Sequence, residues 1–333
     1  MLISWNTTRE CNLRCQHCYR DAGPRERDEL TTAEGFDLLE EMARAGFQLV
    51  VLSGGEPMLR ADIYDLVRQA ARVGMRPVLG SNGMLISRDV ARRLKDAGAA
   101  RVGISLDSAN PEFHNQLRLH PQAWQLAVAG MEACREAGLP FQVHTTVTES
   151  NRDQVLSVTD FAAKIGAAGH HVFFLVPAGR GVDLEADSLK AAEYERLLGD
   201  LLKKQRVLPI EIKPTCAPQF MRIAKQMGVA TRFGKGCLAG TSYCVVLPNG
   251  AVHPCPYLPL KVGNVRETPF SQIWARSPIF ERLRHDPLLG KCGGCEYQEI
   301  CGGCRARAYY YSDGDYMAEE PWCLWQPKKA RAA

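Results

Sequence analysis

The chain has 333 residues, 46% hydrophobic and 23% charged, with a formal net charge of +4. This composition can bury a substantial core, and the charge is too small and too dispersed to argue for nucleic acid. The longest apolar runs, such as Val172–Val176, are far shorter than the roughly 20 residues of a bilayer span, and no basic-then-apolar segment opens the chain. No membrane or secretory role is expected, and the expected location is cytoplasmic.

Short β-type runs alternate with amphipathic segments over the first 205 residues. The predicted strands are Leu2–Trp5, Leu49–Ser53, Pro77–Gly80, Arg101–Leu106, Phe141–Val147 and His171–Val176. Between them lie predicted helices at Thr32–Ala45, Ile63–Val73, Asp89–Ala97, Trp124–Ala137 and Gln154–Ile165. Gly46, Gly74, Gly98 and Gly138 supply helix stops. Alternating βα units imply a parallel sheet with right-handed crossovers. Six units fall short of the eight of a closed barrel. The expected fold is therefore α/β, a partial (β/α)6 barrel over residues 1–205. A helix at Tyr194–Lys204 and a short strand at Leu208–Lys213 lead into a linker region, 206–233. Residues 234–333 are rich in Gly, Pro and Cys and would need metal cross-links in place of a core.

Thirteen cysteines carry the strongest signal. In a cytosolic chain metal binding is the better reading than disulfides. Cys11, Cys15 and Cys18 form a C-x3-C-x2-C motif directly after the first predicted strand, where α/β sheets gather ligands. Three thiolates at this spacing can hold three corners of a 4Fe–4S cube and leave the fourth iron open to a chelating ligand. A zinc site would need His17 as a fourth ligand, and the spacing differs from common zinc fingers. Cys237, Cys244, Cys255, Cys292, Cys295, Cys301, Cys304 and Cys323 crowd the last 100 residues. Cys134 and Cys216 stand apart, and Cys134 reads as a small buried hydrophobe.

The first motif, with His17 in the aromatic position before Cys18, resembles the signature of the radical S-adenosylmethionine (SAM) superfamily. The resemblance implies that the open iron binds SAM and that one electron cleaves it to a 5′-deoxyadenosyl radical. The run Ser53–Pro57 matches the family's GGEP motif, so Gly54, Gly55, Glu56 and Pro57 would hold the SAM amino group. Ser81 and Asn82 after the third strand, Ser105 and Asp107 after the fourth, and Val176 after the sixth would complete the cofactor site. Asn82–Gly83 also reads as a plain turn.

The C-terminal cysteines resemble the SPASM extension of the same superfamily, whose auxiliary 4Fe–4S clusters would number one or two here. The family pairing carried over places Cys237, Cys244, Cys255 and Cys304 in one set. Cys292, Cys295, Cys301 and Cys323 form the other. The last pair is C-x2-C where many members have C-x3-C, which puts the pairing in doubt. A zinc ribbon on Cys292, Cys295, Cys301 and Cys304 is the competing reading.

The segments Ile3–Thr8, Cys18–Gly23, Lys213–Pro218, Gly236–Gly240, Cys304–Ala308 and Ala318–Pro321 resemble the branch that makes hemes from siroheme. That resemblance implies a tetrapyrrole substrate and a low-potential donor such as ferredoxin or flavodoxin. The implied reaction is oxidative decarboxylation of iron-coproporphyrin III propionates to vinyl groups. Removal of acetate or propionate side chains from didecarboxysiroheme is the alternative within the branch. A peptide-modifying maturase and an iron–sulfur electron-transfer or redox-sensing protein are the alternatives outside it. Arg118, Arg222, Arg305 and Arg307 could grip substrate carboxylates bidentately, with Lys213 as a point charge. Any of the eight histidines could ligate a heme iron.

Overall fold

The computed structural model describes residues 1–327. β1 (Leu2–Thr8), β2 (Leu49–Gly54), β3 (Arg76–Ser81), β4 (Arg101–Ser105), β5 (Phe141–Val147), β6 (Gly169–Phe174) and β7 (Glu211–Thr215) run parallel in that order. Their crossovers carry α1 (Thr32–Arg44), α2 (Ile63–Arg72), α3 (Arg88–Asp96), α4 (Pro111–Arg118), α5 (Ala123–Ala137), α6 (Val155–Lys164) and α7 (Ala191–Gln205). α8 (Gln219–Gln226) follows β7 and packs on α7. On the other side of β1 lies β8 (Tyr243–Val246), parallel to it, followed by the antiparallel β9 (Ala251–His253) and β10 (Gly263–Asn264). β7 and β10 are the two edges of the ten-stranded sheet, so the barrel stays partial. Among the described residues, no helix is long and apolar enough to cross a membrane.

The expected strands and helices appear within a few residues of their sequence positions, but the sheet is larger than six units. Residues 206–233, expected to be a linker, supply β7 and α8, and the cysteine-rich extension supplies β8 to β10. β1 therefore has a neighbour on each side. α1 begins at Thr32 as the sequence suggests, behind Thr31 as N-cap, whose side chain and that of Glu34 cap each other's backbone amides. Strand alternation sorts the faces. Ile3, Trp5, Val143, Val172 and Ile212 pack outward into one core with the helices. Asn6, Ser53, Ser105, His144, His171 and Lys213 occupy the opposite, lumenal face.

Candidate iron–sulfur and SAM site

The Cys11–Cys18 loop leaves the carboxyl end of β1. Its base is closed by paired amides: Cys11 donates to the Gly23 carbonyl and Gly23 to that of Arg9, each at 3.0 Å. Arg180, from the loop after β6, straps it down. The Arg180 amide donates to the Cys18 carbonyl at 3.0 Å. Its guanidinium donates to the carbonyls of Cys15 and Ala22 and to Asp21 at 2.9, 2.8 and 2.7 Å. The three thiols lie close enough to interact through their charges. Each receives a donor: the Leu13 amide to Cys11 Sγ at 3.4 Å, Arg118 to Cys15 Sγ at 3.8 Å and the Ala22 amide to Cys18 Sγ at 3.5 Å. Burial pushes the Cys11 thiol up to about 12. Iron reverses that, because a coordinating thiol is deprotonated outright. Three thiols aimed inward and furnished with N–H donors fit an iron–sulfur cluster.

The GGEP turn closes over this loop. The Gly55 amide donates to the Thr8 carbonyl at 2.8 Å and the Glu56 amide to that of Glu10 at 2.7 Å. A Cβ on Gly55 would stand 2.1 Å from the Glu10 oxygen, so no larger residue allows this approach. Glu56 is fully buried. Its carboxylate accepts from the Ser81 hydroxyl and the Asn82 amide at 2.8 Å each, and from the Met58 amide at 3.2 Å. Burial nonetheless raises it to about 7. A buried carboxylate left this costly suits a cationic ligand group such as an amine. Asn82 donates to Asn12 inside the cysteine motif at 2.7 Å, and Ser105 donates to the Ser81 carbonyl at 3.4 Å. His17 is buried with Nδ1 unpartnered, and burial lowers it to about 4.

Asp107 lies beneath the cysteine loop, and Val176 lies beside the extension. Asp107 is sealed beneath Arg118, whose Nε donates to it at 2.7 Å, and it also accepts from the Thr146 amide at 3.0 Å. It orders the cysteine loop through Arg118. Val176 packs its side chain into a small apolar cluster with Leu258, Cys304 and Met317 of the extension.

Of the five expected substrate cations, four are already tied. Arg118 holds Asp107. Arg222 pairs with Glu195 and donates to Gln226. Arg305 donates to the carbonyls of Tyr316 and Ala318 at 3.0 and 2.8 Å. Arg307 pairs with Glu320 at 2.8 Å, and both are fully buried. These guanidiniums spend donors on protein partners, while Arg222 Nε, Arg305 Nη2 and Arg307 Nη1 stay buried without a partner among the described residues. Lys213 alone of the five lies on the lumenal face, over the Phe233 ring at 4.9 Å, with no ion pair among the described residues.

Beside Lys213 runs a network of which the sequence offers only His144, on the fifth predicted strand, as a residue that could face the site or sit satisfied in the core. Across β4 to β7 the row is Ser105, His144, His171, Lys213. The two imidazoles stack at 5.3 Å. Arg101 donates to Gln142 Oε1 at 3.0 Å. Because arginine only donates, the amide NH2 must face the rings, 2.7 Å from His144 Nε2 and 3.3 Å from His171 Nδ1. Both imidazoles are thereby fixed as acceptors at those atoms and neutral. His171 Nε2 then donates to Glu211 at 3.0 Å. His144 keeps its proton on Nδ1 as a hydrogen-bond donor. Burial holds His144 well below its ordinary range.

The C-terminal thiols gather in two groups. Cys292, Cys295, Cys301 and Cys323 line one cavity, with Arg222 and Lys291 at its wall. Cys237, Cys255 and Cys304 form the other, and the thiol beside them is Cys216. Cys244, expected in that set, is fully buried in the helix-packed core, paired across β8 with Ile3. Among the described residues, no three His, Cys, Asp or Glu side chains close on a single-ion site.

Comparison with known proteins is consistent across the chain. The sequence model of the Radical SAM superfamily matches residues 5–162, and that of the SPASM iron–sulfur cluster-binding domain matches residues 237–305. The AdoMet-dependent heme synthase of Methanosarcina barkeri is 42% identical, over 98% of this chain and 97% of that protein. The Fe-coproporphyrin III synthase of the same organism is 30% identical, over 97% and 87%. The structure of Streptococcus suis SuiB bound to S-adenosylmethionine shares the fold with a TM-score of 0.77 at 17% identity, over 97% of this chain and 77% of that one.

Proposed function

Because the chain belongs to the radical SAM superfamily, in its SPASM-bearing heme-biosynthesis branch, we propose that it converts the propionates of iron-coproporphyrin III to vinyl groups, giving heme. The higher identity to a heme synthase than to an iron-coproporphyrin synthase, 42% against 30%, favours decarboxylation over side-chain removal. The observation that carries the reading is geometric: Lys213, an ammonium with no ion pair among the described residues, faces the lumen of the partial barrel whose first strand leads into the three-thiol loop.

When bound, SAM and the clusters supply the radical, and an acceptor for the electron that must leave with carbon dioxide. The polypeptide does the rest. Cys11, Cys15 and Cys18 hold the SAM-binding cluster. Glu56, held by Ser81, Asn82 and Met58, receives the ammonium of SAM at the GGEP turn. Arg118 supports Cys15 and holds Asp107 in place. Lys213 and the Nδ1–H of His144 receive one propionate carboxylate, a cation and a donor two strands apart. His144 serves here as a donor, since ligating iron through Nδ1 would require moving its proton to the atom that faces Gln142. Two auxiliary clusters are proposed, one on each C-terminal thiol group, with a ferredoxin or flavodoxin as electron donor.

The test is turnover of the anaerobically reconstituted protein with dithionite, SAM and iron-coproporphyrin III, followed by mass analysis. The expected outcome is 5′-deoxyadenosine together with stepwise loss, from each of two propionic acid side chains, of carbon dioxide and two hydrogens, one taken by the radical and one leaving as a proton with the electron passed to the acceptor. Cys15→Ala abolishes both products while auxiliary iron remains. Production of 5′-deoxyadenosine without loss of carbon dioxide would reject this substrate and leave the radical chemistry standing.

A further inference from the structure

We propose that Cys216, at the carboxyl end of β7, is the fourth ligand of a 4Fe–4S cluster held with Cys237, Cys255 and Cys304, and that Cys244 is not a ligand. The inference rests on the reading above only for the class of cofactor. It identifies the thiol that completes the set.

Cys216 and Cys255 pack against the small cluster beneath the extension to which Cys304 belongs. The thiol of Cys216 lies within electrostatic reach of Cys304, Cys255 and Cys237. Cys255 Sγ faces the amides of Tyr257 and Leu258, and Cys304 Sγ faces that of Arg307. Such amides stabilise cluster-bound thiolates.

The backbone supplies a second, independent observation. Cys216 has φ +58°, in the left-handed region that a side chain enters only when its surroundings impose it. Its carbonyl accepts from Arg307 at 2.9 Å. Arg307 is paired with Glu320, and Glu320 accepts from the Cys304 amide at 2.7 Å. One buried ion pair thus fixes the backbone at two of the four thiols. The same fixation explains the shortened C-x2-C pair. Gly302 and Gly303 both have positive φ, +72° and +56°. They turn the chain between Cys301 and Cys304, so that Cys301 reaches the cavity with Cys292 and Cys323 while Cys304 turns to Cys216.

Cys244 has no route to either group. It stands opposite Ile3 in a strand pair whose register continues through Val245 and Val246. Bringing its thiol to the other face requires a one-residue slip, which would reverse every side chain of β8. A ligand at Cys216 instead puts the cluster at the end of a barrel strand, three residues after Lys213. It would bind barrel and extension together at the substrate end of the sheet.

The experiment uses the full chain carrying Cys292→Ala and Cys295→Ala, which removes the other auxiliary set. It is reconstituted anaerobically with iron and sulfide and read by iron content and by Mössbauer and EPR spectroscopy. In this background Cys216→Ala is expected to lose iron from one cluster, either falling to a three-iron signal or losing about four irons per chain. Cys244→Ala is expected to keep the parent's iron and spectrum. Should Cys216→Ala fail to fold, Cys216→Ser decides: an altered auxiliary-cluster spectrum supports the assignment and an unchanged one overturns it. Iron equal to the parent in Cys216→Ala, or iron lost in Cys244→Ala, also overturns it. SAM cleavage is read separately in the wild-type chain. Its absence there would sink the radical reading without touching the thiol assignment.

Discussion

An ammonium held in a protein interior without a carboxylate partner is costly, and among the described residues Lys213, on the lumenal face of the barrel, makes no ion pair. Burial lowers its pKa, and Glu211, the nearest opposing charge, is already occupied by His171. A substrate carboxylate would repair that deficit. Lys213→Gln keeps much of the length and removes the charge, so it should weaken iron-coproporphyrin III binding. A hydrogen bond to a charged group contributes about 1.5–3 kcal/mol, or roughly ten- to a hundredfold in Kd. Absorbance titration of the porphyrin into anaerobic protein measures it, and an unchanged Kd would show that the carboxylate binds elsewhere. Single residues were unevenly legible in the sequence. Cys11, Cys15 and Cys18 were readable because their spacing is local. The cations were not, because a partner such as Asp107 for Arg118 or Glu320 for Arg307 is brought in by folding and leaves no local pattern. Cys216 was overlooked for the same reason, although it follows a strand end as the first cysteine loop does.

At the scale of elements, β5 and β6 carry a titration built into the helix-facing side of the sheet. His170 lies between the hydroxyls of Thr145 and Thr159, at 2.7 and 2.9 Å, and burial lowers it to about 3. The unfolded chain binds a proton near the ordinary histidine value, and the folded chain does not. The contribution is therefore fully present above about pH 6.5 and is lost progressively as pH falls toward 3. At 1.36 kcal/mol per pH unit, the step from about pH 6.5 to about 5 removes about 2 kcal/mol. His170→Gln should lose correspondingly less stability over that step in urea unfolding of the cluster-free protein. Equal losses in both proteins would show that the acid response arises elsewhere. The long, regular elements of this half were legible because apolar periodicity and terminal glycines repeat through them. α4 was missed although Asn110 caps it and Pro111 opens it, since only eight residues follow the cap. The sequence marks β7 as a strand but carries nothing that joins it to the barrel, and β8 to β10 have four residues or fewer each, too short for alternation to register.

At the scale of the whole molecule, one buried ion pair joins parts that are far apart in sequence. Arg307 donates to Glu320 through Nε at 2.8 Å and through a second nitrogen at 3.2 Å. It also reaches the Cys216 carbonyl after β7 and packs over the Trp322 ring at 4.2 Å. Glu320 returns contacts to the amides of Cys304 and Trp322. The barrel edge and the extension thus share one electrostatic centre, which fixes how the two are placed against each other. Pairs of this kind contribute little net stability when intact, because desolvation offsets attraction. Breaking one side is different, since the remaining charge is stranded. Arg307→Met should therefore cost about 3–5 kcal/mol. The double change Arg307→Met with Glu320→Gln should recover part of that loss, because no full charge is then left buried. Chemical denaturation of the two variants beside the wild type measures both quantities. If the double variant is no more stable than Arg307→Met, the loss comes from the Cys216 carbonyl contact and not from the stranded carboxylate.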